Sequence, residues 1–150
     1  MEFNNLHNKL VEIGEYVRDK YKENLKSNNH YATGKLYNSI EYKLTVTENS
    51  IKLYFVAADY WIFIEEGRSP GRMPPVDVIE HWMVNKKIPG NKGTAYKIAR
   101  SIGLNGTHAN PYLRNIKTEL VNNFKDDIEK ALSTDVKIEL NKIKEKHNNK

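Results

Sequence analysis

No cysteine occurs among the 150 residues, so the chain can form neither a disulfide nor a thiolate metal site. No apolar run approaches the ~20 residues that cross a bilayer. Met1–Lys9 is polar and lacks the apolar core of an export signal. A chain made and kept in the cytosol is therefore expected, and the triplet Asn105-Gly106-Thr107 then marks only a turn. Apolar side chains are also scarce, at 39% of residues against the usual ~45–50%. A chain of this length fits one domain, spanning residues 1–150 without repeats, and can withdraw ~70% of its unfolded surface from water. Its lean composition predicts thin layers and help from partner chains.

The motifs that carry catalysis are missing too. Gly34-Lys35 lacks both the earlier glycine and the following Ser or Thr of a phosphate-binding loop, since Asn29 and Leu36 stand there. The five histidines are scattered, without HExxH or an i, i+4 pair. Glu65 and Glu66 are adjacent, so on a helix they diverge by about 100° and make a poor acid–base pair. Glu41-Tyr42-Lys43 has the Glu-x-Lys spacing of some nucleases, but on the wet face of a hairpin a cross-strand ion pair is the better reading. Neither an enzyme nor a cofactor is expected.

What is present is unevenly placed. The net charge is +5, yet His81–Thr118 holds seven basic residues (Lys86, Lys87, Lys92, Lys97, Arg100, Arg114, Lys117) and no acid. Such a local excess suits an acidic partner. Lysine far outnumbers arginine, but Arg68, Arg72, Arg100 and Arg114 lie in one third of the chain. Arginine grips a carboxylate or phosphate with a bidentate fork that lysine cannot reproduce.

Phe3, Leu6, Leu10, Ile13, Val17 and Leu25 recur at helical spacing, predicting an amphipathic helix from about Asn4 to Leu25 that stops in Ser27-Asn28-Asn29. Ile40, Tyr42, Leu44 and Val46 alternate with polar residues, as do Ile51, Leu53, Phe55 and Ala57 with their neighbours. A hairpin over Ile40–Ala57, turning at Thr47–Ser50, is expected. Asp59 can cap a short helix, Tyr60–Glu66, with Gly67 closing it; the same residues could instead extend the sheet. Pro74 and Pro75 open a helix with the stripe Val78, Ile79, Trp82 and Met83, ended by Pro89-Gly90. Ala95, Ile98, Ala99 and Ile102 form another, closed by Gly103. Asn110-Pro111 starts the longest helix, with Leu113, Ile116, Leu120, Phe124, Ile128 and Leu132 inward. Beyond Ser133 both periods fit and helix is favoured. Residues 147–150 should fray.

Tyr60–Trp82 is the unusual stretch: five large apolar residues, two glutamates, then a loop of arginines, glycines and prolines. "DYWIFIEEGRSPGRMPP" (Asp59–Pro75) resembles a signature of the tail-completion and neck proteins of tailed bacteriophages, an aspartate and aromatic run leading into E-x-G-R/T and a Pro-rich loop. "ATGKLYNSI" (Ala32–Ile40) is similar to the start of their first strand. "AYKIARSIGLNGTHANPYLRNI" (Ala95–Ile116) resembles their ending, an amphipathic stretch, G-T-x-x-x-P-F/Y-L and a long helix. The match covers about residues 1–132 in order and spacing. It departs in the basic insertion Val76–Thr94 and in Tyr112, where Phe is commoner. The resemblance implies an α+β fold: an N-terminal helix, a small antiparallel sheet built on a β-hairpin, and several packing helices including a long C-terminal one. It implies a virion neck or tail position, a homo-oligomeric ring, six- or twelve-fold, between portal or adaptor ring and tail proteins, and no catalytic residues.

In such a ring the loop residues Glu65, Glu66, Arg68, Arg72 and Pro74 would meet the next subunit, with Trp61, Phe63 and Ile64 anchoring the loop to its own sheet. Lys86, Lys87, Lys92, Lys97, Arg100 and Arg114 would face DNA in the channel or an acidic adjoining ring. A plainer reading has the loop only connecting two helices, with Arg68 paired to Glu65 or Glu66. The competing functional class is a small basic nucleic-acid-binding module using residues 81–118. A Glu41/Lys43 nuclease is the third and weakest.

Overall fold

The structure, a computed structural model, describes residues 3–47 and 50–148. The fold is α+β. The elements in chain order are α1 (Asn4–Ser27), α2 (Lys35–Ser39), β1 (Glu41–Val46), β2 (Ile51–Val56), α3 (Trp61–Glu65), α4 (Val76–Asn85), α5 (Lys92–Asn105) and α6 (Tyr112–Asn148). They group into two compact units. One comprises Met1–Tyr21, Glu41–Val56 and Arg114–Lys150; the other comprises Lys22–Ile40 and Ala57–Leu113.

In the first unit α6 packs antiparallel along α1. Tyr16 meets Phe124 with ring centroids 5.4 Å apart, its hydroxyl donates to Glu119, and Lys9 pairs with Asp127 at 3.4 Å. Ile13, Val17, Tyr21 and Ile116 are buried; each large apolar side chain withdrawn from water stabilises by about 1.5–3 kcal/mol. The antiparallel hairpin pairs Tyr42 with Phe55 and Leu44 with Leu53, all half-buried, so the expected alternation holds. Val46 is exposed and does not join that face. The expected cross-strand ion pair is not formed between opposed residues, because Glu41 faces Val56 and Lys43 faces Tyr54. Gly14, inside α1, has a packing reason. A Cβ there would stand 2.6 Å from the ring of Tyr42, over whose ring Arg18 also lies, 5.6 Å from the centroid. Residues 48 and 49 of the expected turn lie outside the described residues; Thr47 N–H donates to Ser50 O at 2.8 Å.

α6 settles the ambiguity after Ser133 as helix, and at 37 residues it is about 55 Å long at 1.5 Å per residue. Residues 147 and 148, expected to fray, continue that helix; 149 and 150 lie outside the described residues. Leu132, expected inward, is exposed, as are Val136, Ile138, Leu140 and Ile143.

The second unit holds α2 to α5. α1 ends there through Asn29, at φ 57°, with His30 N–H reaching back to Leu25 O. The stretch Ala32–Ile40, expected to begin a strand, forms α2 instead. Gly34 at φ 75° turns the chain, and Thr33 Oγ1 accepts from Lys35 N–H. α3 is a helix rather than a sheet extension. Its N-cap is Tyr60, without a side-chain cap bond, so Asp59 does not cap it. α4 and α5 pack through Ile79, Met83, Ala95 and Ala99. Val78 and Trp82, expected in the same stripe, are exposed. α4 stops at Asn85, ahead of Pro89-Gly90. Lys87 takes φ 54° and Ile88 folds back, its N–H on Met83 O and its side chain against the α4–α5 core. α5 opens with an Asn91–Thr94 capping box and runs through Gly103 to Gly106.

Candidate functional site

The interface residues expected from sequence lie on a loop that the chain clamps from within. α3 is closed by Glu66, whose N–H donates to Ile62 O, and Gly67 at φ 71° redirects the chain. Residues 68–75 then run beside the last turn of α5 and the segment that follows it. Arg68 and Thr107 form an antiparallel bridge, with N–H to O distances of 3.2 and 2.8 Å. Gly71 N–H reaches Gly103 O at 2.8 Å, and Asn110 N–H reaches Ile64 O at 2.8 Å. Backbone lies directly on backbone. A Cβ on Gly67 would strike Thr107 O, one on Gly106 would strike Arg68 O, and one on Gly103 would stand 3.0 Å from Met73 Cα. Gly67 and Gly106 also hold positive φ, which side-chain-bearing residues adopt at a penalty of ~1–2 kcal/mol. Two of the three motif segments noted in the sequence are thus the two halves of one clamp.

Within it the five loop residues separate. Glu65 is only 6% exposed, and its carboxylate accepts from Leu113 N–H at 3.1 Å, holding the first turn of α6. It is not available to a neighbouring molecule in that state. Pro74 is buried. Phe63, expected as an anchor, is 57% exposed. Arg68 donates through Nη2 to Arg72 O at 2.5 Å, so one guanidinium braces the loop, while the Arg72 side chain is exposed. Glu66 is exposed as well.

The basic residues likewise differ in their local settings. Lys97 and Arg100 are exposed neighbours on α5, one turn apart. Lys92 stands in the first turn of the same helix, where the helix dipole disfavours a cation. Lys87 is exposed at the left-handed end of α4. Lys86 is turned inward instead, donating to Asn29 O and to Asn29 Oδ1, and burial lowers its pKa. Arg114 belongs to the first unit and not to the unit that carries α4 and α5.

Sequence reading missed a cluster around Asn29–Tyr37. His30 and Tyr112 share a 2.9 Å hydrogen bond. Burial, then Lys86, lowers the His30 pKa; burial, then Glu65, raises that of Tyr112. Both shifts favour a neutral imidazole accepting from a protonated phenol. Beside them α2, Tyr60 and the outer face of α4 line an open groove of about 410 Å³. Val78 and Trp82, expected in the apolar stripe of α4, are exposed on its side instead. Among the described residues no group of three or more His, Asp or Glu is placed to hold a metal ion, and no helix is long and apolar enough to cross a membrane. No family model, curated protein or solved structure matches the chain.

Proposed function

We propose that this chain is a structural virion protein of a tailed bacteriophage, a subunit of a head–tail connector ring at the neck or tail-completion position around the DNA channel. The observation that carries the reading is the ordered set of three motif segments resembling those proteins. The clamp supports it physically. A loop already fixed by four backbone hydrogen bonds loses little entropy on docking, and it presents Arg72 and Glu66 outward. In a ring each subunit offers two different faces to its neighbours, and a pre-ordered charged loop suits one of them. The lean core fits a protein that is monomeric or weakly associated alone and forms a six- or twelve-fold ring on its portal-side partner.

Electron microscopy of particles carrying a tagged copy tests this directly: density at the neck or tail junction is expected. A tag found only in the capsid shell, or absent from particles, would falsify the assignment. A second reading, a basic nucleic-acid-binding module using residues 81–118, draws on the exposed Lys92, Lys97 and Arg100 of α5. Replacing those three by Gln reduces duplex-DNA affinity and flattens its salt dependence if that reading holds.

A further inference from the structure

The groove beside α2 has a composition that the connector reading does not use. Trp82, Tyr60 and Tyr31 line it and are 38, 36 and 42% exposed. Tyr37 lines it too and meets Tyr31 edge-on, ring centroids 5.3 Å apart. Exposed aromatic rings gathered in one concavity mark a recognition surface more often than a solvated one. The walls are braced. Gly34, at φ 75°, lies so close to Tyr31 that a Cβ would stand 2.7 Å from its hydroxyl.

Charge narrows the occupant. Among the described residues no carboxylate lines the groove, whereas Lys35 does. Lys26 Nζ lies 4.6 Å from the centroid of Tyr37 and 6.0 Å from that of Tyr31, and Lys22 Nζ lies 5.1 Å from Tyr37. Two cations that do not themselves line the groove thus lie against two of its rings, Tyr37 and Tyr31. Flat π-faces stack on planar rings, and ammonium groups neutralise phosphates. His81 and Asn85 on the α4 side supply polar groups for a base edge. A volume of about 410 Å³ lies within the ~300–1,000 Å³ of ordinary ligand sites. A paired, stacked base in a duplex cannot offer its face.

We propose that this groove binds an unpaired nucleotide of a single-stranded nucleic acid, the base against Trp82, Tyr60 and Tyr31 and the phosphates on Lys26 and Lys35. The site is separate from the α5 lysines and from the clamp, and does not depend on a place in a ring.

The test uses the full chain and a fluorescently labelled oligothymidylate of about eight nucleotides, followed by anisotropy. Binding is expected to be saturable, and Trp82→Ala to weaken it roughly 5- to 150-fold, the range for losing one stacking ring. Circular dichroism of the same variant checks that it is folded. Lys26→Gln with Lys35→Gln is expected to reduce the log–log salt slope by about 0.7 for each phosphate that is no longer neutralised. In the Trp61→Phe chain, whose sole remaining tryptophan is Trp82, the oligomer quenches the emission. An abasic strand of equal length binds at least about tenfold more weakly. Four results overturn the proposal: equal affinity for the abasic strand, wild-type affinity in Trp82→Ala or Tyr60→Ala, tighter binding of duplex or of an acidic peptide, and saturation by thymidine monophosphate alone with no gain from a strand.

Discussion

Among the described residues each of the two compact units buries one carboxylate, Asp135 in the first and Glu65 in the second, and each carboxylate holds the start of a helix from far away in sequence. Asp135, 2% exposed, accepts from the N–H groups of Asn5 and Leu6 and from the Asn5 amide at 2.8–3.1 Å. Glu65 accepts from Leu113 N–H. Neither α1 nor α6 has an acid in its own first turn. The usual local cap is replaced in both units by a remote one, so helix initiation and tertiary docking become the same event. The units differ in how much hangs on it. In the first, the acid ties together α1 and α6. In the second, the clamp at Gly67 and Gly106 already fixes the chain next to α6's start, and Glu65 is one bond among several.

Asp135→Ala is therefore the largest expected effect. Two part-buried backbone N–H groups lose their acceptor, and because Asn5 is exposed water recovers part of the about 1–3 kcal/mol that each would cost if dry; stability falls by roughly 2–4 kcal/mol, read as a fall in denaturant midpoint. Gly106→Ala comes next in the second unit, at roughly 2–3 kcal/mol from left-handed strain and a backbone clash, with increased hydrogen exchange at Arg68 and Thr107. Glu65→Ala follows at about 1–2 kcal/mol. A loss equal to that of Asp135→Ala would show that the clamp shares none of the work at α6.

Acid separates the units further. The Asp135 pKa is lowered; burial opposes ionisation, but the bonds from Leu6 and Asn5 outweigh it. A depressed carboxylate stabilises above the unfolded value of ~3.9 and loses that contribution as pH falls through the folded one. His30, depressed by burial and then by Lys86, loses its contribution as pH falls from ~6.5. Amide protection factors, taken relative to the intrinsic exchange rate at each pH, should thus fall first in the second unit, below about pH 6.5, and only below about pH 4 in the first. Simultaneous loosening at one pH contradicts this. Asp59→Ala, the smallest, should leave stability within about 0.5 kcal/mol, since Asp59 caps nothing.

The α+β fold, α1, the hairpin face, α4, α5 and the long α6 were legible because each writes its own periodicity. Helix ends were not. Pro89-Gly90 and Gly103 look like stops, but Lys87 and Gly106 end those helices, because packing of Ile88 and contact with Arg68 decide where the turn falls. The bond from Leu113 N–H to Glu65 was not legible, since a carboxylate's partner 48 positions away leaves no local trace. The loop Arg68–Pro75 was legible as unusual, but not as half of a clamp. The groove was invisible because Tyr31, Tyr60 and Trp82 come from three separate stretches.

The Arg68–Thr107 bridge also makes α4 and α5 an excursion with pinned ends. Polymer physics makes such an excursion tolerant: doubling the length of a flexible closed loop costs only about 0.6 kcal/mol. Residues added at Gly90, between the two helices, would be felt weakly outside the pins. The basic stretch Val76–Thr94 can therefore vary in length and chemistry while the segments on either side of the bridge keep their register, much as a cassette is exchanged within a fixed frame.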